Sequence, residues 1–424
     1  MDSVINQICY CIRNYMNKTG DELIIPQSLE EWETLYSCSI EQNIPGIVYD
    51  SVRKIREFAL LPQDFKITWK NMVMFNVASQ MRTDEAFGVI YDEFINSGIV
   101  PLVVKGAVCR CLYDNPEFRI SGDEDILIKI EDYDKSHRIL KEKGFVFDED
   151  SYNAGLMGKE SEITYQSPNK DLTIELHIDL FEKDNEVYSS FNKWFENVFD
   201  HPTTVIYKNR ELYTLSYTDH FLYLCCHAYK HFVHSGFGIR PVMDIIAMAD
   251  KYAGDIDWTY IWSKLKETKA DILFMNIFYI GEKYFGVSME KFGGYSLIYS
   301  DGRSEGLLEE KELLSDLFMA GVHGRSSIDR VQSSLMTLDA VKNQDTSINK
   351  SRIKALFPGV KEISGRYKFL KRFPFLLPVA WIMRITVYLK EQKNSEGSII
   401  KENKSSQIGG NRIRLLEKYK VIQK

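Results

Sequence analysis

Nowhere in the 424 residues is there a run of about 18 apolar residues, so the sequence offers no membrane-spanning helix. The nearest candidate, Phe373 to Leu389, is broken by Pro378 and Arg384. The first residues lack the basic, apolar and cleavage-site succession of a signal peptide. Cysteine is scarce and badly placed for disulfides. There are seven, and six of them fall as near neighbours: Cys9/Cys11, Cys109/Cys111 and Cys225/Cys226. No second cluster has zinc-ligand spacing. The expectation is a cytoplasmic protein with reduced thiols. Internal repeats are absent too. A net charge of −7 argues against wholesale coating by nucleic acid.

What is present is a composition ordinary for globular chains, 44% hydrophobic and 27% charged, over a length that suggests two or three units. The charge is uneven. Beyond residue 350 there are 17 Lys/Arg against 5 Asp/Glu, net +12, while the first 350 residues are net −19. Residues 1–97 carry apolar positions at helical spacing, as in Leu29/Trp32/Leu35/Tyr36 and Phe87/Ile90/Tyr91/Phe94/Ile95. The texture changes at Gly98. Strands are expected at Ile99–Val104, Gly122–Ile130 and Leu172–Leu180, with weaker ones at Phe145–Phe147 and Glu162–Gln166. Helices are expected over Ala107–Tyr113 and over Asp132–Lys143, the latter closed by Gly144. Helical patterning resumes at Tyr217 and runs to about Val341, with loops at Gly293–Gly306. The tail beyond Asn394, polar and rich in Lys, Ser and Gly, reads as mobile. The division expected is a helical region (1–97), an α+β core (98–215), a helical domain (216–345) and a basic C-terminal segment (346–424).

The chemistry concentrates in Ser121-Gly122-Asp123-Glu124-Asp125-Ile126-Leu127-Ile128. Residues two apart on a strand share a face, about 6.5–7 Å apart at Cα. Asp123 and Asp125 therefore converge, while Ile126, Ile128 and Ile130 are expected in the core. Two like charges held together call for a hard cation, and Asp is otherwise a poor strand residue. A solvated strand edge is the plain alternative. Thr173 to Asp179 alternates cleanly, with Glu175, His177 and Asp179 on one face and Ile174, Leu176 and Ile178 on the other. If the two strands are neighbours, Glu175 joins the aspartates. Three carboxylates can hold two divalent ions for in-line phosphoryl or nucleotidyl displacement. Upstream, Lys105-Gly106 stands between a strand and a helix, where glycine lets phosphate approach and the helix end favours anions. Arg119 either reaches a triphosphate or pairs with Glu117.

Val103-Val104-Lys105-Gly106, Tyr113, Arg119 through Asp123-Glu-Asp125-Ile-Leu-Ile, and Glu175-Leu-His177 together resemble an uncharacterised bacterial nucleotidyltransferase family of the DNA polymerase β-like superfamily. The resemblance implies an α+β fold, a mixed β-sheet core flanked by N- and C-terminal helical regions. It implies an NTP donor and two Mg²⁺ ions, with Asp123, Asp125 and Glu175 as catalytic and metal-binding acids. Lys105, Gly106, Arg119 and Gly122 would bind the nucleotide. The acceptor of the nucleoside monophosphate is left open: a small molecule, a peptide, a protein or tRNA. In the superfamily a Gly-Ser or Gly-Gly pair usually opens the first helix, and Lys105-Gly106-Ala107 departs from it. Trp32, the segment from His227 to Asp244, and Leu376 to Trp381 look like the family's outer helices. The alternatives are a nucleotide- or partner-binding module without turnover, and a toxin-like enzyme acting on tRNA.

Two further features stay open at this level. His227, Lys230 and Arg240, with His177, are candidates to line the cleft. The spacing of His227 and His231 would suit zinc, and an interior histidine suits it equally. The basic stretch from Lys361 to Arg372, followed by apolar Phe373 to Leu389, suits RNA or another anionic partner, a membrane surface, or docking on the chain's own acidic body.

Overall fold

The computed structural model describes residues 2–17, 24–157, 160–292, 308–321, 328–348, 350–351, 357–363, 367, 369–394 and 404–422. The expected loops at Gly293–Gly306 lie outside them. The chain opens with helices α1 (Asp2–Asn17), α2 (Leu29–Glu41), α3 (Pro45–Val52), a single turn α4 (Arg56–Ala59) and the long α5 (Gln63–Asn96). Ser28 caps α2 through its side chain, which accepts from the Glu31 N–H. Next come β1 (Leu102–Val103), a one-turn helix α6 (Ala107–Arg110), β2 (Asp123–Leu127), α7 (Tyr133–Glu142), α8 (Glu149–Leu156), β3 (Glu162–Gln166) and β4 (Thr173–His177). Gly144, at φ +80°, closes α7 as its sequence position suggested.

The four strands form one mixed sheet in the order β1-β2-β4-β3. β1 is antiparallel to β2, β2 runs parallel to β4, and β3 is antiparallel to β4. The strands are shorter than their apolar runs. Ile130 is 58% exposed rather than in the core, because β2 ends at Leu127 and a 3₁₀ turn (Ile130–Asp132) breaks the alternation. Val146 makes only an isolated bridge to Gln166. A hairpin of β5 (Thr203–Tyr207) and β6 (Arg210–Thr214) had no sequence expectation. Its turn residues Lys208 and Asn209 both have positive φ, which twists the strands together as a primed turn does. Thr214 ties the hairpin to the sheet by donating to the Val103 carbonyl.

Helices α9 (Tyr217–Val233), α10 (Ile239–Lys251), α11 (Trp258–Glu267) and α12 (Asp271–Phe285) follow, then α13 (Glu310–Ala320) and α14 (Ile328–Asn343). These share one hydrophobic core with α1 to α3, including Ile8, Trp32, Ile47, Leu222, Phe274 and Leu317. A second core lies between the sheet and the C-terminal half of α5, with Phe87, Tyr91, Phe94, Ile126, Ile174 and Leu176. α5 is thus the strut between helical body and sheet.

Beyond α14 lie α15 (Val360–Ile363), α16 (Phe369–Arg372), α17 (Leu377–Asn394) and α18 (Lys404–Lys418). The expectation of a mobile tail fails over 404–422. Ile413, Leu416, Tyr419 and Val421 are buried, and Gly409 lets α18 approach Met336 of α14 so closely that a Cβ would overlap the methionine. The polar composition reflects burial of one face only. Arg412 is buried, donates to the Phe232 and His234 carbonyls and faces Asp316 at 3.7 Å, while Lys418 pairs with Glu309 and Glu312. This end of the basic segment therefore docks on the acidic body.

Candidate metal and nucleotide site

Parallel pairing sets Asp125 opposite Glu175, Asp123 opposite Thr173 and Leu127 opposite His177. The acid-bearing strands are neighbours, as the alternating patterns required. Asp125, Glu175 and His177 each present a possible ligand atom within 4.8 Å of the others. Asp125 and His177 are buried, and Glu175 is partly exposed. Asp123 sits at the rim, half-buried and outside that closest trio. The expected set of Asp123, Asp125 and Glu175 is thus joined by His177, which falls within the trio where Asp123 does not.

Charge is balanced internally. The Lys105 ammonium lies 3.3 and 3.2 Å from the two oxygens of Asp125, and His177 Nε2 lies 3.5 Å from Oδ1. His177 Nδ1 is 3.5 Å from Glu162, and Nε2 is 3.9 Å from Glu175. Burial alone would raise the Asp125 pKa, but Lys105 and His177 outweigh it and hold it well below the usual carboxylate range. Burial and then the charges of Asp125 and Asp123 push Glu175 up to about 8. Lys105 and His177 are buried, which would favour their neutral forms, yet the surrounding carboxylates raise both. Asp125 Oδ2 and both ring nitrogens of His177 have no hydrogen-bond partner of good geometry. Contacts near 3.5 Å are ion-pair contacts rather than formed hydrogen bonds. Buried acceptors held by ion-pair contacts rather than by well-formed hydrogen bonds, in an acid-rich trio, are what a divalent cation can satisfy, so the residues fit a metal.

The opposite face of β2 holds an unexpected network. Glu124 is fully buried between the two aspartates and accepts from the Ala107 N–H at 2.8 Å. It also pairs with Arg110, itself fully buried. Arg110 donates to Ser121 and to Tyr207 (3.0 Å), and lies 3.0 Å from Asp84 of α5. Asp84 in turn receives Tyr207 and Lys208, each at 2.6 Å. Gly106 has φ +47°, and a Cβ there would overlap the Glu124 carboxylate. The N-terminal N–H of α6 is therefore already met by a protein carboxylate. Alternation places Glu124 beside Ile126 and Ile128, and a charge at a core position signals a buried cation partner. That signal was readable in the sequence; its partner was not.

The remaining candidates scatter. Arg119 pairs with Asp244 through two hydrogen bonds (3.1 and 2.7 Å) rather than with Glu117, and Tyr113 donates to the same carboxylate at 2.7 Å. Glu117 is taken by Lys208. Gly122 borders open space beside Asp123. His227 Nε2 lies 3.4 Å from the Lys105 ammonium, so it belongs to the site. Arg240 donates to the Ile120 carbonyl and feels the field of Asp123, whereas Lys230 is bound to Glu182 at 2.7 Å. All seven cysteines are free thiols.

A family model described as an uncharacterised nucleotidyltransferase matches residues 28–286. No curated protein and no solved structure matches the chain significantly. The family match spans more than half of the chain, takes in both acidic strands and every candidate residue above, and leaves α1 and α13 to α18 outside. The chain belongs to that nucleotidyltransferase family.

Proposed function

We propose that this nucleotidyltransferase-family chain moves a nucleoside monophosphate from an NTP to a hydroxyl or phosphate acceptor, with divalent ions, Mg²⁺ foremost, held by Asp123, Asp125 and Glu175. The observation that carries the reading is the parallel register that sets Asp125 beside Glu175, with a buried Asp125 oxygen met by the Lys105 ammonium in ion-pair contact rather than by a well-formed hydrogen bond. When bound, two such ions would supply charge neutralisation for the triphosphate and for the attacking oxygen. The chain's own groups do the rest. Lys105 leaves Asp125 to meet the donor's phosphates, and His227 stands behind it. Glu175, whose pKa is raised by burial and then by the two neighbouring acids, receives the acceptor's proton. The acceptor oxygen bonds to the α-phosphorus, and the bond from that phosphorus to the bridging oxygen of pyrophosphate breaks.

The phosphates are better served by side chains than by the end of α6. Glu124 already occupies that helix end, and Gly122 leaves room beside Asp123. Arg240 approaches from the helical body, and Arg119 acts through its hold on Asp244 rather than as a free ligand. His177, 3.5 Å from Asp125 and 3.9 Å from Glu175, keeps the two carboxylates in place. The test is Mg²⁺- or Mn²⁺-dependent transfer of α-phosphate label from each NTP into components of a cell lysate. Asp123→Asn with Asp125→Asn abolishes labelling on this reading; equal labelling by that variant overturns it.

A second reading has its own observation. Lys105 and His177 neutralise Asp125 without a metal, as suits a fold that binds nucleotide without turnover. Calorimetric NTP binding without pyrophosphate release across many acceptors would favour it.

A further inference from the structure

Helix α17 and the 3₁₀ turn before it (Pro374–Leu376) bury one side against a small cluster of Ile363, Tyr367, Leu370 and Ala380 that is separate from both main cores. Trp381 fixes the packing by donating to the Pro358 carbonyl at 2.8 Å. The other side is bare. Phe375, in the 3₁₀ turn that leads into α17, is 75% exposed; Val379 (46%) and Ile382 (63%), three residues apart, share one face of α17. Phe373 and Met383 extend the same exposed surface. A contiguous apolar ridge of this kind marks an interaction surface.

The charge around the ridge says what covers it. Phe373 to Met383 contains no charged residue. Lys361 to Lys393 contains eight Lys/Arg and two Asp/Glu, and no acid stands between Ile363 and Lys390. The Arg372 guanidinium stands 5.5 Å from the Phe373 ring. We propose that the ridge Phe373–Phe375–Val379–Ile382–Met383 docks into the interface of an anionic lipid bilayer, with the flanking Lys and Arg on the headgroups. No helix of the described residues is long and apolar enough to cross a membrane, so the helix lies on the surface. Nucleic acid would need cations on the contact face itself, where this face offers hydrocarbon. A second copy meeting the same patch about a two-fold axis would set basic flank against basic flank. An anionic bilayer satisfies the apolar ridge and the cations together. The proposal stands independently of the nucleotidyl chemistry, since it uses no residue of that site.

The full-length protein is sedimented with vesicles of phosphatidylglycerol and phosphatidylcholine in equal parts, and with pure phosphatidylcholine vesicles. The expected result is binding to the anionic vesicles, weakened by salt, with little on the neutral ones. Phe375→Glu with Ile382→Glu lowers that binding about tenfold or more. Both side chains are exposed, so an unchanged unfolding midpoint shows that the fold is kept. Absence of binding to anionic vesicles overturns the proposal, as does equal binding by the double variant. Conversion of a wild-type dimer to monomer by the same substitutions assigns the ridge to self-association and overturns it. Salt-sensitive RNA binding lost in the double variant overturns it in favour of nucleic acid.

Discussion

Gly106 is a glycine because of Glu124: the two share one volume, and any Cβ on residue 106 would stand inside the buried carboxylate. The loop that carries Lys105 and the strand that carries Asp123 and Asp125 are thereby locked face to face. Lys105 reaches Asp125 from one side of β2 while Glu124 caps α6 from the other.

Gly106→Ala is therefore costly twice, through positive φ and through overlap with a carboxylate that has no room to retreat. A loss of about 2–4 kcal/mol in urea unfolding is expected. A change below about 0.5 kcal/mol would show that the loop adapts freely.

Arg110→Met leaves Glu124 and Asp84 as buried acids without their shared cation. Removing one partner of a buried pair costs about 3–5 kcal/mol. Adding Glu124→Met should recover much of that loss, because only Asp84 then remains and Lys208 still pairs with it. Additive losses in the double variant would contradict the network.

Stability should fall as pH rises in metal-free protein. Glu175 has a folded pKa near 8 against an ordinary 4.5, so the folded state binds the extra proton between those values. Its contribution is complete below the unfolded value and is lost as pH climbs towards 8. His177, also raised, adds in the same direction. Asp125 acts oppositely, its contribution fading only in strong acid. Urea titrations in chelator at about pH 6 and about pH 8.5 should show the decline, and Glu175→Gln should flatten it. An identical slope in the variant would remove Glu175 as its source.

Arg412→Met tests how α18 is held. Asp316 keeps Arg330 at 2.6 Å, so the carboxylate is not orphaned. What is lost are two donors to the Phe232 and His234 carbonyls at the end of α9. The His234 carbonyl still accepts from the Thr337 hydroxyl at 2.8 Å, so the cost of about 1–3 kcal/mol for a buried acceptor left open falls on the Phe232 carbonyl. Amide hydrogen exchange across α18 should then quicken, and protection equal to wild type would argue that α14 alone secures it.

The two acidic strands, the carboxyl-bearing face of each and the turn at Gly144 were determined by the sequence itself, because period-two alternation and a C-terminal glycine are local properties. Asp123, Asp125 and Glu175 stood out as candidates for that reason, and Lys105 from its place between a strand and a helix. What only the tertiary structure decided is which strands are neighbours and which charges meet. The parallel pairing of β2 with β4 brings residues 50 apart in the chain into register, and no local pattern encodes that distance. Arg119 could equally have reached for a triphosphate or for Glu117. It is Asp244, 125 residues away, that claims it, because burying a guanidinium without a carboxylate is prohibitive. The tail read as mobile for the same reason: its apolar face is thin, and only the approach of α14 makes that face a core.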